Sequence, residues 1–137
     1  MPIIGFNYDK LLAEKKKKLK PPLKIKTNVS IKDVKEIKSS TVAKDESLLR
    51  LDFSYKLDYG DMATIEVGGH IHYLLDDLDA KDIVKEWKKD KKFKDEQSKF
   101  VKEVYNMVLI KSSVKALVLG QEVNLPPHIQ LPTINKK

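Results

Sequence analysis

His70 and His72 are the first candidates for chemistry in this 137-residue chain. Two histidines spaced two apart on a strand project from the same face, and imidazole is a common metal ligand. Glu66 is the only carboxylate at the matching alternation, so it is the candidate third ligand. A solvated polar strand face explains the same pattern. We favour that interpretation, because neither histidine has an evident relay partner for catalysis.

Two other motifs resemble ligand sites without completing them. Gly68-Gly69 lies inside a strand-like segment, whereas a phosphate-binding loop joins a strand to a helix. Glycines within a strand indicate a bulge or a tight bend instead. Asp76, Asp77 and Asp79 lack the glycine and the distal glutamate of a calcium loop, and capping of a helix explains them better. We therefore expect a non-enzymatic protein with no metal and no cofactor.

The charge of the chain points to an anionic partner. Lysine and arginine number 27 against 20 acidic residues, which gives a formal net charge of +7. Arg50 is the only arginine. Because lysine is a point charge that suits phosphates better than base edges, we expect any nucleic-acid binding to read the backbone and the shape.

Two lysine runs are the candidate RNA-binding residues. The first is followed by Pro21-Pro22, which cannot lie inside a central strand and so separates a phosphate-contacting arm from the next strand. The second interleaves lysines with aromatic residues, although a solvated helix end explains it equally well. The candidates are Lys15, Lys16, Lys17, Lys18 and Lys20 in the first run, and Lys88, Lys89, Lys91, Lys92 and Lys94 with Trp87 in the second.

Hydrophobic alternation predicts four strands. The first starts near Ile3 and ends at the lysine run, and short polar turns between the later strands predict antiparallel pairing. The second strand slips out of alternation after Asp33, which predicts a bulge. The residues expected to face inward in the last three strands are Leu23, Ile25, Thr27, Val29 and Ile31; Leu49, Leu51, Phe53, Tyr55, Leu57 and Tyr59; and Ala63, Ile65, Val67, Gly69, Ile71 and Tyr73.

After the fourth strand the period changes to that of a helix. Asp79 is the expected N-cap of a first helix that ends near Lys91. A second helix is predicted from about Asp95 to Gly120, with Gly120 as its C-terminal cap. An extended tail with three prolines follows, and its apolar residues are expected to lie across the domain surface. The helix stripe is Phe100, Val101, Val104, Tyr105, Val108, Ser112 and Leu119, and the tail residues are Leu125, Ile129 and Leu131.

These elements predict an α+β fold: a four-stranded antiparallel sheet followed by two helices and the tail, forming one domain over residues 1–137. The chain has no cysteine, so disulfides and thiol chemistry are excluded. The Lys/Glu-rich, cysteine-free composition fits a thermophile. Because neither a signal peptide nor a membrane-spanning segment is evident, we expect a cytoplasmic protein.

The element order resembles the SecB family of preprotein chaperones. The stretches "YDKLLAEKK" and "SVKALVLGQEVNLPPHIQLP" carry the resemblance, with "NLPP" as the nearest local match. It is closer still to an archaeal branch of SecB-like small proteins that open with "IGFNYDK". The resemblance implies a Greek-key sheet, unfolded or preprotein chains as clients, and homo-oligomers assembled through the sheet edge and the long helix. SecB proteins are acidic, whereas this chain is basic.

Two functions follow from this sequence, and a partner-binding adaptor that has neither function is a third, weaker alternative. Its charge favours an RNA-facing protein that is associated with a ribosomal subunit and contacts rRNA phosphates. The resemblance favours the alternative, a SecB-like chaperone.

Overall fold

Four antiparallel strands form one sheet, and two helices follow them. The computed structural model describes residues 3–22, 24–37, 45–91, 93 and 98–129. The strands are β1 (Ile3–Lys15), β2 (Ile25–Ile37), β3 (Glu46–Tyr59) and β4 (Ala63–Asp76), and the helices are α1 (Asp77–Asp90) and α2 (Lys99–Glu122). The strand order is β1-β4-β3-β2, so β2, β3 and β4 form a meander and β1 pairs with β4 in Greek-key fashion. This confirms the predicted α+β class.

The central strands β3 and β4 confirm the predicted alternation. Their inward residues are buried from Leu49 to Tyr59 and from Ala63 to Tyr73, and the helices cover this face of the sheet. Gly60 has a positive φ of 59° in the β3–β4 turn, a conformation that glycine adopts without strain. The alternation of apolar and polar residues thus identified the side of these strands that forms the core.

The edge strands are less regular. The pairing of β2 with β3 shifts between Ile31 and Asp33, which confirms the predicted bulge at a slightly earlier position. The expected inward face of β2 is only partly right. Ile25 and Thr27 are exposed, and burial is complete only at Ile31 and Val34, while Leu23 lies outside the described residues. The alternation of a strand does not reveal how much of its length a helix covers.

Helix α1 begins two residues before the predicted N-cap. Asp76 occupies the N-cap position and Asp79 lies within the first turn. β4 continues into the helix without a loop, and the hydroxyl of Ser47 donates a hydrogen bond to the Asp77 carboxylate at this junction. Asp77 and Asp79 then stabilise the positive end of the helix dipole. At the other end the helix stops near Lys91, as predicted; Lys91 is the C-cap and has a left-handed φ of 55°.

Helix α2 starts at Lys99, where the Ser98 hydroxyl accepts a hydrogen bond from the Val101 N–H. The prediction that Gly120 caps its C-terminus is wrong, because the helix continues to Glu122 and Asn124 takes the left-handed conformation. Gly120 is buried against the sheet: an added Cβ would lie 3.4 Å from Ile65 Cδ1. The glycine therefore serves close packing. The predicted start near Asp95 falls outside the described residues.

The long helix is apolar on two sides. Its buried side packs on the sheet through residues such as Val104 and Val108. A second set of apolar side chains is exposed to solvent. They are Leu109, Ile110, Val114 and Val118. A helix that is apolar nearly all round is typical of one that packs against something on each side.

The segment after α2 crosses the inner face at the β3–β4 end of the sheet. Leu125 is buried, and the Tyr59 hydroxyl donates a hydrogen bond to the Pro126 carbonyl oxygen. Ile129 is exposed, and Leu131 lies outside the described residues. Among the helices of the described residues, none is long and apolar enough to cross a membrane.

Candidate functional site

An open groove of about 520 Å³ lies between the edge strand β2, the end of α1 and the first half of α2. The residues around it are mostly apolar or aromatic, with two lysines and two neutral polar side chains. They are Val29, Ser30, Ile31, Trp87, Lys91, Phe93, Val101, Lys102, Tyr105 and Asn106. We call this cavity the β2 groove.

The floor of the β2 groove is built by the turn after α1. The Lys91 N–H donates to the Trp87 carbonyl at 2.8 Å, and the left-handed Lys91 redirects the chain. Phe93 thereby returns onto Trp87, with ring centroids 5.2 Å apart, and also meets Phe100 edge-on at 5.6 Å. Phe100 in turn packs on Tyr73. This aromatic row anchors both helices to the sheet and fixes one wall of the groove.

The indole of Trp87 has an unsatisfied donor. The side chain is 5% exposed, and its Nε1–H is buried without a hydrogen-bond partner among the described residues. Buried polar groups normally have a partner, so an orphan donor beside a cavity is consistent with a ligand acceptor. The face of the ring, by contrast, is occupied by Phe93.

The charges that the described residues place around the groove are all positive. Its described charged residues are Lys91 and Lys102, both exposed, and no carboxylate lines it. A neighbouring cavity of about 280 Å³ shares Phe93 and Val101, and the acidic residues Asp79, Asp82 and Glu86 are among those that line it. The aromatic row therefore separates a basic cavity from an acidic one.

A cluster of charged and polar side chains lies on the opposite, open face of the sheet. His70 Nδ1 lies 2.7 Å from Asp9 Oδ2, and Arg50 Nε donates to Asp52 Oδ1 at 3.1 Å. A bulge in β1 between Tyr8 and Lys10 places Asp9 beside His70. Ligand atoms of Asp9, Asp52 and His70 lie within 4.8 Å of one another, a spacing that could hold a metal ion.

Arg50 already supplies a cation in that cluster, since its Nη2 also lies 3.9 Å from Asp9 Oδ2. The candidate ligand Glu66 does not join it and pairs instead with Lys10 at 3.2 Å. The sequence does not predict that Asp9 and Asp52 lie beside His70, because only strand pairing brings these residues together. The cluster is best described as an ion-pair network on a polar sheet face.

No family model matches the chain, and no curated protein matches it. Among solved structures, a SecB-like chaperone from Mycobacterium tuberculosis in complex with a ChAD peptide from an antitoxin is similar. It has 12% sequence identity and a TM-score of 0.48, with 98% of this chain and 91% of that chain covered.

The first lysine run is held to the β3–β4 turn by its backbone. Lys15 ends β1, and the N–H groups of Lys16 and Lys17 both donate to the Met62 carbonyl, at 2.7 and 3.1 Å. Lys17 also pairs with Asp61 at 2.9 Å, and this hydrogen bond and charge lower the pKa of the Asp61 carboxyl. Lys15, Lys16, Lys18 and Lys20 are exposed. RNA contact by this run stays a prediction.

The structure does not bring the two lysine runs together. The first follows β1 and the second ends α1 beside β2, and these strands are the two edges of the sheet. With strands about 4.8 Å apart, the edges are separated by about 14 Å. Lys88, Lys89 and Lys91 are exposed, Lys92 and Lys94 lie outside the described residues, and buried Trp87 offers no open ring face to a base.

Two histidines predict a dependence of stability on pH. Burial, His70 and Arg50 lower the pKa of His72, and burial lowers the pKa of His128, whose ring nitrogens are buried without partners among the described residues. The unfolded chain, with histidine pKa values near 6.5, therefore binds protons that the folded chain excludes. Stability is present above about pH 6.5 and is lost as the pH falls below it.

Urea unfolding at pH 7.5 and at pH 5.5 measures this effect. We expect a lower midpoint at pH 5.5, and a smaller difference in the double variant His72→Gln/His128→Gln. A midpoint that stays constant or rises on acidification would contradict the assignment.

Proposed function

We propose that the protein binds extended, apolar segments of unfolded polypeptides without catalysing a reaction. The observation that carries this proposal is the β2 groove, an open aromatic cavity beside an edge strand. Its volume of about 520 Å³ falls in the usual range for ligand sites. The resemblance of the sequence to SecB implies the same class of client.

The groove suits an extended chain because it reaches the edge of β2. Val29 and Ile31 face the helices, and Ser30 between them projects to the other side, yet all three line the cavity. Within the described residues, β2 pairs only with β3, so its outer edge is unpaired. A peptide that adds as a further strand would place alternate side chains over the aromatic row.

An aggregation assay tests the proposal. The protein, mixed with an unfolded client at near-stoichiometric ratio, is expected to suppress light scattering by aggregates. Suppression of an uncharged apolar client should weaken little with salt, because apolar burial carries it. Val29→Lys is expected to weaken client binding by about tenfold or more, equivalent to about 1.4 kcal/mol, since it places a charge in the groove.

Leu78→Lys is the matched control. Leu78 is 77% exposed near the start of α1 and is not among the residues around the β2 groove, so this variant should suppress aggregation as well as the unaltered protein. Failure of the unaltered protein to suppress aggregation, or equal suppression by Val29→Lys, would contradict the proposal.

RNA binding on a ribosomal subunit is the second candidate. The observation that favours it is the exposed first lysine run on a chain of net charge +7. Each phosphate that these lysines neutralise contributes about 0.7 to 0.9 to the salt slope of log affinity. Replacing Lys15, Lys16, Lys17 and Lys18 with alanine is expected to flatten that slope and to weaken binding to all RNA sequences alike.

Filter binding across a salt series, with sedimentation alongside ribosomal subunits at low salt, measures this effect. The fold should persist, because exposed charge changes usually cost under about 0.5 kcal/mol. Unchanged RNA affinity in the quadruple variant at low salt would remove the ground for this candidate.

We infer that a homo-oligomer forms as well. The resemblance implies one, and the exposed apolar side of α2 provides a surface for a second copy. Such a contact would bury Ile110, Val114 and Val118 and leave the β2 groove open on the other side of the helix.

A further inference from the structure

We propose that the β2 groove selects apolar segments that carry acidic residues on one flank. This inference rests on the proposed function and names the chemistry of its client. Three features of the described residues support it: the charge around the groove, the position of the nearby carboxylates and the orphan donor of Trp87.

The end of the groove beside the last turn of α1, where a bound client would extend out of the cavity, is positively charged. Lys91 and Lys102 line the cavity from α1 and α2. The last turn of α1 adds two exposed lysines, Lys88 and Lys89. Asp90 is the only acidic residue in that turn, so the turn has a net positive charge. A carboxylate on a bound segment would lie beside these ammonium groups, whereas a lysine on the same segment would be repelled.

The carboxylates of α1 restrict this preference to one flank. Asp79, Asp82 and Glu86 line the neighbouring cavity, beyond Phe93. An acidic residue at that end of the client would meet like charges. A segment therefore has a favoured direction, with its acidic flank toward Lys91 and Lys102 and its apolar part over the aromatic row.

The Trp87 indole contributes through the backbone of the client. The Trp87 side chain lines the groove, and its N–H is buried without a partner among the described residues. A main-chain carbonyl of an extended peptide is an acceptor that every client carries, so this bond would add affinity without sequence preference. Peptide is favoured over RNA here because Trp87 and Phe93 already pack on each other, which leaves no open ring face for base stacking.

Three labelled peptides with one apolar core test the selection. Two glutamates, two glutamines or two lysines occupy one flank, and affinity is measured by fluorescence anisotropy. Trp87 is the only tryptophan of the chain, so its emission reports occupancy of the groove directly. We expect the glutamate peptide to bind about tenfold tighter than the lysine peptide, as two partly exposed charge pairs allow, and the ratio to shrink at high salt.

Variants assign the effect to its residues. The pair Lys91→Glu/Lys102→Glu is expected to reverse the order of the peptides, whereas Lys15→Glu/Lys16→Glu, at the other edge of the sheet, is the matched charge control and should keep it. Trp87→Phe keeps an aromatic ring but removes the N–H, and should weaken all three peptides by a similar factor of several-fold.

The outcomes separate this inference from the proposed function. Equal affinity for the three peptides, or an unchanged order in Lys91→Glu/Lys102→Glu, overturns the charge selection and leaves apolar binding intact. Absence of binding by any peptide overturns both. Displacement of the glutamate peptide by a single-stranded RNA of higher affinity overturns the inference in favour of a nucleic-acid site. If the charge-reversed variant does not fold, as judged by circular dichroism, the comparison of the three peptides on the unaltered protein tests the charge selection by itself.

Discussion

Replacing Gly69 with alanine is expected to lower the free energy of unfolding by about 3 kcal/mol or more. A Cβ at this position would lie 2.0 Å from the backbone oxygen of Asn7 and 3.0 Å from Phe53 Cζ. The first contact is with the main chain of β1, which cannot move without breaking its pairing with β4. The close approach therefore leaves room only for glycine.

Gly68 provides a matched control one residue away. A Cβ there would meet Lys10 Cβ at 3.5 Å, an ordinary van der Waals contact. Gly68→Ala should therefore change stability by less than about 1 kcal/mol. Urea unfolding followed by circular dichroism compares the two variants. Equal stability of Gly69→Ala and the unaltered protein would show that β1 does not pack on β4 at this distance.

Replacing Val104 with aspartate is expected to abolish stable folding. Val104 is fully buried where α2 packs on the sheet. Burying a carboxylate without a partner costs several kcal/mol, which is comparable to the whole stability of a domain of this size. Circular dichroism and a thermal scan measure the loss.

Val114→Asp is the control on the other side of the same helix. Val114 is 58% exposed on the single chain, so the variant should still fold cooperatively as a monomer. Light scattering on this variant also tests the homo-oligomer: a lower mass than that of the unaltered protein supports association through α2. A cooperative unfolding transition in Val104→Asp at the temperature of the unaltered protein would contradict the packing described for α2.

Some residues of the candidate site could be placed from the sequence, but the site itself could not. Val29, Ile31 and Tyr105 were assigned to β2 and to the helix stripe, as core positions. In the sequence, Phe93 stands out only as an aromatic residue between lysines. No local pattern indicates that these residues share a groove, because their periodicity reports which side is buried and says nothing of what lies opposite.

The histidine pair shows the same limit. Alternation correctly placed His70 and His72 on one strand face, and the Gly68-Gly69 pair correctly indicated an irregularity, since the bulge of β1 lies directly opposite. The partners of His70 were missed. Asp9 reaches it through that bulge and Asp52 lies beside it through β3, and both contacts depend on strand register.

The sequence by itself determined the α+β class, the four strands, the inward residues of β3 and β4, and the two helices. The spacing of apolar residues, every second position in a strand and every third or fourth in a helix, is a local property. A run of about a dozen residues is enough to show it. The tertiary structure alone decided that β2 is an edge, that α2 exposes a second apolar side, and that Trp87 lines a groove beside lysines. These features join residues far apart in the chain, and they arise only when strand order and helix packing bring those residues into contact.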